Sequence, residues 1–195
     1  NGKILEEKIF DKIWIQPAAG DAGGALGAAL ALWHLEFDKS REINPNDSMH
    51  GSYLGPEFSQ DQIEVHLRKI GANFEVLEYE NLIDLTAELL SKEKAIGWFQ
   101  GRMEFGPRAL GCRSILGDPR SETTQKNLNL KVKYRESFRP FAPSILEEDL
   151  NNWFDINTDS PYMLLVSHIK KDKKIEMTEE QKKLFGIDKL NIKRS

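Results

Sequence analysis

Nine basic side chains fall between residues 102 and 139: Arg102, Arg108, Arg113, Arg120, Lys126, Lys131, Lys133, Arg135 and Arg139. Four acids share the interval (Glu104, Asp118, Glu122, Glu136), so this island is positive in a chain whose net charge is −4. A guanidinium presents a planar fork that pairs bidentately with phosphate or carboxylate and stays charged at any working pH. Arg102, Arg108 and Arg113 are interleaved with Gly101, Gly106, Pro107 and Gly111 rather than set at helical intervals. That spacing lets a tight loop aim several cations into one cavity. Ser114 adds a hydroxyl, and Glu104 a carboxylate able to orient an arginine. Further on, Lys131, Lys133 and Arg135 alternate, which on an extended segment would turn them to one side. Phe138 and Phe141 flank Arg139, a combination that can stack a purine while a phosphate is neutralised. The plainer alternative is that some arginines only pair with nearby acids, Arg120 most readily, and that Phe138, Phe141 and Pro143 anchor the loop in a core.

Three uses of such an island compete. A long nucleic acid would be served by basic residues with aromatics, but the rest of the chain is strongly acidic and would repel it. A small nucleotide or acyl phosphate needs only a local field, and Arg and Lys clamps stabilise the charge that develops as it reacts. A purely regulatory anion site is the third. Cys112, beside Arg113, has weak support as a nucleophile: positive charge lowers a thiol pKa, but none of the four histidines lies near it in sequence. Far upstream, PAAGDAGGALGAAL places a glycine-rich turn around Asp21 ahead of a small-residue helix over 25–37. Such a turn can expose backbone N–H groups to phosphate, and its small residues equally allow close packing.

The elements that must hold these residues follow from periodicity and punctuation. Ile13, Trp14 and Ile15 suggest a short strand stopped by Pro17. Residues 38–58 are polar and rich in Pro and Gly, and read as a linker that leaves His50 exposed. Ser59 with Gln62 forms a capping-box pattern ahead of Ile63, Leu67 and Ile70, a helix face ending at Gly71. Phe74, Val76 and Leu77 suggest a strand, Leu82 to Leu90 a helix, and 95–99 a strand. This alternation implies an α/β layer with helices packed on a sheet. Residues 124–132 read as helix, Pro140 to Pro143 as extended chain, 145–154 as a short acidic helix, and 162–169 as a strand. Thr178 with Gln181 could start a last helix. Length and an apolar content of 39% suit a soluble protein with a real core. No run of 18 apolar residues is present, which excludes a membrane span, and a single cysteine fits a reducing cytoplasm.

GWFQGRMEFGPRALGCRSILGDPR, followed by KVKYRESFRPFAPSIL, resembles the C-terminal half of the nodulation-type and antibiotic-biosynthetic O-carbamoyltransferases, and PAAGDAGGALGAAL resembles the end of that family's N-terminal catalytic domain. The resemblance implies an α/β (α+β) fold. Residues 1–40 would be the last piece of an actin/hexokinase-like domain, 41–58 a linker, and 59–195 a YrdC-like domain with a mixed sheet and packed helices, truncated at its C-terminus. It implies that ATP and carbamoyl phosphate form carbamoyl adenylate, whose carbamoyl group passes to the hydroxyl of a small molecule such as a sugar or natural product. By the same resemblance Arg102, Arg108, Arg113 and Arg139 act in catalysis. Ser114, Lys131, Lys133, Arg135, Gly23 and Gly24 bind carbamoyl phosphate or nucleotide, with Mg2+ on the ATP. Asp21 would be one ligand of Fe2+ or another divalent metal. Cys112 departs from the family, which more often has Asn there. The expectation is a cytoplasmic transferase that uses neither membrane nor nucleic acid, of which this piece alone is inactive in transfer; pairing of two copies through the 25–35 surface is also allowed. The alternative is a YrdC-like nucleotide- or RNA-binding module without carbamoyl transfer.

Overall fold

The computed structural model describes residues 1–44, 46–186, 188 and 192. They form a mixed α/β structure, helices with one small antiparallel sheet, and group into two compact units. One unit comprises Asn1–Leu77, Gly97–Ser114 and Ser160–Leu165; the other comprises Glu78–Ile96, Ile115–Asp159 and Val166–Ser195. Among the described residues no helix is long and apolar enough to cross a membrane.

The first unit holds helices α1 (Gly2–Glu6), α2 (Asp21–Ala31) and α3 (Gln60–Lys69). The glycine-rich stretch is not a free turn before α2 but its first turn. Gly23 N–H donates to the Ala18 carbonyl and Gly24 N–H to the Gly20 carbonyl, both at 2.8 Å. A side chain at position 23 would meet Ala18 O at 2.6 Å, so this close approach requires glycine. At its other end α2 widens into a π turn, with Phe37 N–H reaching the Leu32 carbonyl at 3.1 Å. α3 starts as its sequence predicts: Ser59 Oγ accepts Gln62 N–H at 3.2 Å, and Gln62 Oε1 accepts Ser59 N–H at 2.9 Å. Residues 47–56 have little regular structure yet contribute the buried Met49 and Ser52. The Gly55 N–H···Met103 O and Met103 N–H···Pro56 O bonds, 2.9 and 3.0 Å, tie this stretch to the chain around Met103.

The second unit holds α4 (Tyr79–Ser91), α5 (Thr124–Asn127), α6 (Leu150–Trp153) and α7 (Glu179–Lys182). Strands β1 (Ile96–Phe99) and β2 (Arg113–Leu116), most of whose residues are counted in the first unit, pair with each other. α5 also runs on into a π turn, closed by Lys133 N–H on the Leu128 carbonyl at 2.9 Å. Leu128 and Thr124 pack on the backbone at Gly117, where a Cβ would approach Thr124 Cγ2 to 2.7 Å. The Thr178–Gln181 capping box starts α7 as expected.

Three expected strands do not form. Among the described residues, 13–15 and 74–77 make no strand pairing, and 162–169 contributes only the Phe154–Ile169 bridge. β-rich composition marks a segment suited to a pleated surface, but a strand needs a partner edge.

Candidate functional site

The three arginines of the Gly-Pro-Arg loop have different surroundings. Arg102 donates to the Gly55 carbonyl at 3.1 Å and pairs with Glu57 at 3.6 Å, both side chains about half exposed, at the edge of an open cavity of about 460 Å3. Arg113 is committed to backbone: its fork reaches the carbonyls of Gln100 (2.8 Å), Cys112 (2.9 Å) and Gly101 (3.1 Å), and its plane lies 3.4 Å from the centroid of the Phe99 ring. Arg108 has no hydrogen bond or ion pair among the described residues. It lines a cavity of about 240 Å3 together with Pro17, Ala18, Ala19, Gly20, Ser52 and Tyr162. Gly20 is the N-cap of α2 and has no side chain to bond the first-turn N–H groups, so the positive end of an 11-residue helix dipole opens beside this cavity. Asp21, Gly23 and Gly24 follow directly in the first turn. Ser114 is already engaged, accepting Gly111 N–H at 3.0 Å.

Glu104, expected to orient an arginine, instead serves the backbone. It is 6% exposed, and its Oε1 accepts N–H bonds from Leu110 (2.7 Å), Cys112 (2.7 Å) and Arg113 (3.2 Å). Burial pushes its pKa up, but the backbone donors outweigh burial and hold the carboxyl below its usual range. The Cys112 thiol next to it is buried and moves the other way: desolvation and the Glu104 charge raise its pKa against the pull of Arg113. The weak nucleophile reading of Cys112 therefore loses its physical basis.

A polar group that gave no signal in sequence forms another wall. Asp47 accepts N–H bonds from Met49 (2.9 Å) and Gly51 (3.0 Å) and the hydroxyl of Tyr162. Burial and Asp47 together push Tyr162 up to about 12, so it stays a neutral donor. His50, Gly51 and Ser52 take consecutive positive φ values of 48°, 68° and 67°, two of them in residues that seldom do so. This turn buries Ser52 in the cavity wall. Residues 115 positions apart, as Asp47 and Tyr162 are, share no spacing pattern that could have revealed them.

The second unit carries the other basic group, and here the extended alternation fails. Lys131 lies in the π turn, inside the helix expected over 124–132, and Lys133 caps it with helical angles (φ −94°, ψ −12°), so the segment is not extended and the alternation does not turn the three cations to one side. Both lysines are exposed. Arg135 Nε donates to Asn129 Oδ1 at 2.6 Å and stacks 4.8 Å from the Phe141 ring centroid. Arg139 pairs loosely with Glu136 at 3.7 Å. Its backbone is held firmly: Asn129, fully buried, donates to the Ser137 and Arg139 carbonyls at 3.1 and 2.8 Å. Arg120 forms the expected structural pair with Asp118, through a forked contact as short as 2.6 Å. Hydrogen bonding to Arg120 lowers the Asp118 pKa to about 2.

Two family models match the chain: carbamoyltransferase C-terminus over residues 87–183, and carbamoyltransferase N-terminus over residues 1–30. The chain belongs to the carbamoyltransferase family. An uncharacterized protein of Synechocystis is 52% identical across all of this chain and 32% of its own length. The nodulation protein NolNO of Sinorhizobium fredii is 43% identical over 89% of the chain and 26% of its own length. The 3'-hydroxymethylcephem-O-carbamoyltransferase of Streptomyces clavuligerus is 33% identical over 84% of the chain and 29% of its own length. The chain thus spans about a third or less of the curated relatives it matches. Asp21, Gly23 and Gly24 fall within the N-terminal carbamoyltransferase match, and the basic loop and the Lys131–Arg139 group within the C-terminal one. A divalent metal does not fit these residues by themselves. Among the described residues no three His, Cys, Asp or Glu side chains cluster to hold one, so Asp21 offers a single carboxylate.

Proposed function

We propose that this carbamoyltransferase-family protein moves a carbamoyl group from carbamoyl phosphate to a hydroxyl, with ATP activating the group as carbamoyl adenylate. Carbamoyl phosphate loses its phosphate by hydrolysis, the carbamate oxygen attacks the α-phosphorus of ATP, and pyrophosphate leaves. The acceptor oxygen then attacks the carbamoyl carbon, AMP leaves, and the hydroxyl proton passes to a base. Both donors are polyanions, and the first attack brings negative charge onto an already charged phosphorus centre. Fixed cations that face this charge lower the barrier without reorganising.

The observation that carries the reading is Arg108. It is a guanidinium with no protein acceptor among the described residues, set in a cavity wall that also contains Gly20, the N-cap of α2, which offers no side-chain cap. Unpaired Arg and a helix N-terminus are both suited to phosphate. In this reading Arg108 binds an anionic group directly, and the first turn at Gly23 and Gly24 brings backbone close to it. Arg102, weakly held by Glu57, can swing to a ligand. Arg113 with Ser114 keeps the loop in shape while contributing charge. Lys131, Lys133, Arg135 and Arg139 are the proposed phosphate and nucleotide contacts of the second unit, with Mg2+ travelling on the ATP. Asp21 would give one ligand to Fe2+ or another divalent metal, and no step above depends on it. Acceptors of the class are hydroxyl-bearing small molecules such as sugars or natural products. A cytoplasmic setting, where ATP is plentiful and the Cys112 thiol stays reduced, suits this chemistry.

The test is ATP–pyrophosphate exchange stimulated by carbamoyl phosphate in the full-length protein, with Arg108→Ala and Arg139→Ala compared with the parent. Each change is expected to slow exchange about 100-fold. Exchange untouched by either removes the site assignment, and tight salt-sensitive binding of long RNA without any exchange would support the binding-module alternative.

A further inference from the structure

Glu104 is a buried acid with no basic side chain paired to it among the described residues. Its acceptor oxygen is used by three N–H groups, all from one short stretch downstream: Leu110, Cys112 and Arg113. An ionised carboxylate only accepts, so one oxygen can gather several donors that a neutral side chain would share less well. The loop between Glu104 and those donors is fixed at other points as well. Phe105 N–H donates to the Ser52 carbonyl at 2.6 Å, and the Tyr53 hydroxyl donates to the Leu110 carbonyl at 2.9 Å. Gly106 and Gly111 take φ values of 102° and 112°, which close the loop tightly. A Cβ at Gly106 would lie 2.4 Å from the Ala18 side chain, so the loop also rests on the stretch leading into α2. The one long cation left between these fixed points is Arg108.

We propose that Glu104 is a positioning residue, its carboxylate organising the backbone of residues 105–113 so that Arg108 is presented to the cavity beside α2. This rests on the reading of Arg108 as the group that meets the anionic substrate. The loop then resembles an anion-binding turn whose anion is the protein's own carboxylate, and the external anion is met by the arginine at its tip. Glu104 touches no substrate; it acts through where it places Arg108.

Two measurements on the full-length protein separate this from a general role in folding. Hydrogen exchange followed by mass spectrometry should show peptides covering 105–113 exchanging about tenfold faster or more in Glu104→Ala, with peptides of α3 and α4 unchanged. Glu104→Gln keeps an acceptor oxygen, so its loop should be intermediate and its pyrophosphate exchange closer to the parent. In the activity assay, Glu104→Ala combined with Arg108→Ala should be no slower than Arg108→Ala alone, because both changes remove one function. Unchanged loop protection in Glu104→Ala, or losses that multiply in the double variant, would overturn the proposal. Should Glu104→Ala unfold throughout, the Gln variant decides: a loop as protected as the parent's, or activity losses that multiply with the Arg108 change, rejects it. If Arg108→Ala leaves pyrophosphate exchange unaltered, the adenylate reading fails, while loop protection still decides whether Glu104 organises residues 105–113.

Discussion

Arg113 directs its guanidinium at the carbonyls of Gln100, Gly101 and Cys112, whereas Arg108, five positions earlier, has no protein acceptor among the described residues. Identical side chains in one loop therefore take different work, and the difference lies in which backbone groups surround them. Replacing Arg113 should lower stability as well as activity, because three carbonyls lose a charged donor and Phe99 loses its stacked partner. Replacing Arg108 should leave the melting temperature unchanged, and thermal denaturation of both variants checks this contrast. The Asp118–Arg120 pair gives a pH prediction. The folded-state pKa of Asp118, about 2, lies below the ordinary carboxylate value of about 3.9. Its stabilising contribution is thus complete above pH ~4 and is lost as pH falls towards 2. Arg120→Met should raise the Asp118 carboxyl towards the ordinary range, with the backbone N–H of residue 120 keeping part of the shift, read by NMR titration, and should flatten the acid limb of the stability curve. A carboxyl that still titrates near 2 in that variant would show that the pair is not the cause.

At the scale of elements, helix starts were readable wherever the signal is local. The Ser59–Gln62 and Thr178–Gln181 boxes each need residues three apart, and both form. The start of α2 was misplaced because its determinant is a carbonyl upstream: Ala18 O draws in Gly23 N–H, and the helix begins at Asp21. Two neighbouring glycines give a sharp test. Gly24→Ala meets nothing within 4 Å and should stabilise α2 by about 0.5–1 kcal/mol, since alanine is the better helix former. Gly23→Ala forces a methyl to within 2.6 Å of Ala18 O and should destabilise the helix start. Circular dichroism melts of the two variants should move in opposite directions, and equal shifts would refute the close approach at Gly23.

Across the whole chain, interior is scarce and exposed apolar surface plentiful. The buried hydrophobic residues among those described are Met49, Cys112 and Leu128, while Trp14, Leu35 and Phe37 are all more than half exposed. The solvent-accessible area is 15937 Å2, where even two separate compact domains of half this mass would expose about 11,000 Å2. Isolated chain should therefore bind ANS strongly and show red-shifted tryptophan emission from Trp14 and Trp33. Weak dye binding with blue-shifted emission would mean that these surfaces are covered in solution.

Local rules decided much of what could be read in order along the chain. Capping boxes, the amphipathic runs of α3 and α4, the Arg120–Asp118 pair and the motifs of the carbamoyltransferase family each depend on residues a few positions apart or on a continuous string. Tertiary structure alone decided which arginine stays without an acceptor, that Glu104 gathers backbone rather than a guanidinium, and that Asp47 meets Tyr162. It also left two β-rich segments unpaired among the described residues and a third with a single bridge. The physical reason is the same in each case: a buried acceptor or a strand edge is satisfied by whatever the fold brings within hydrogen-bond reach, and that neighbour can lie more than a hundred residues away.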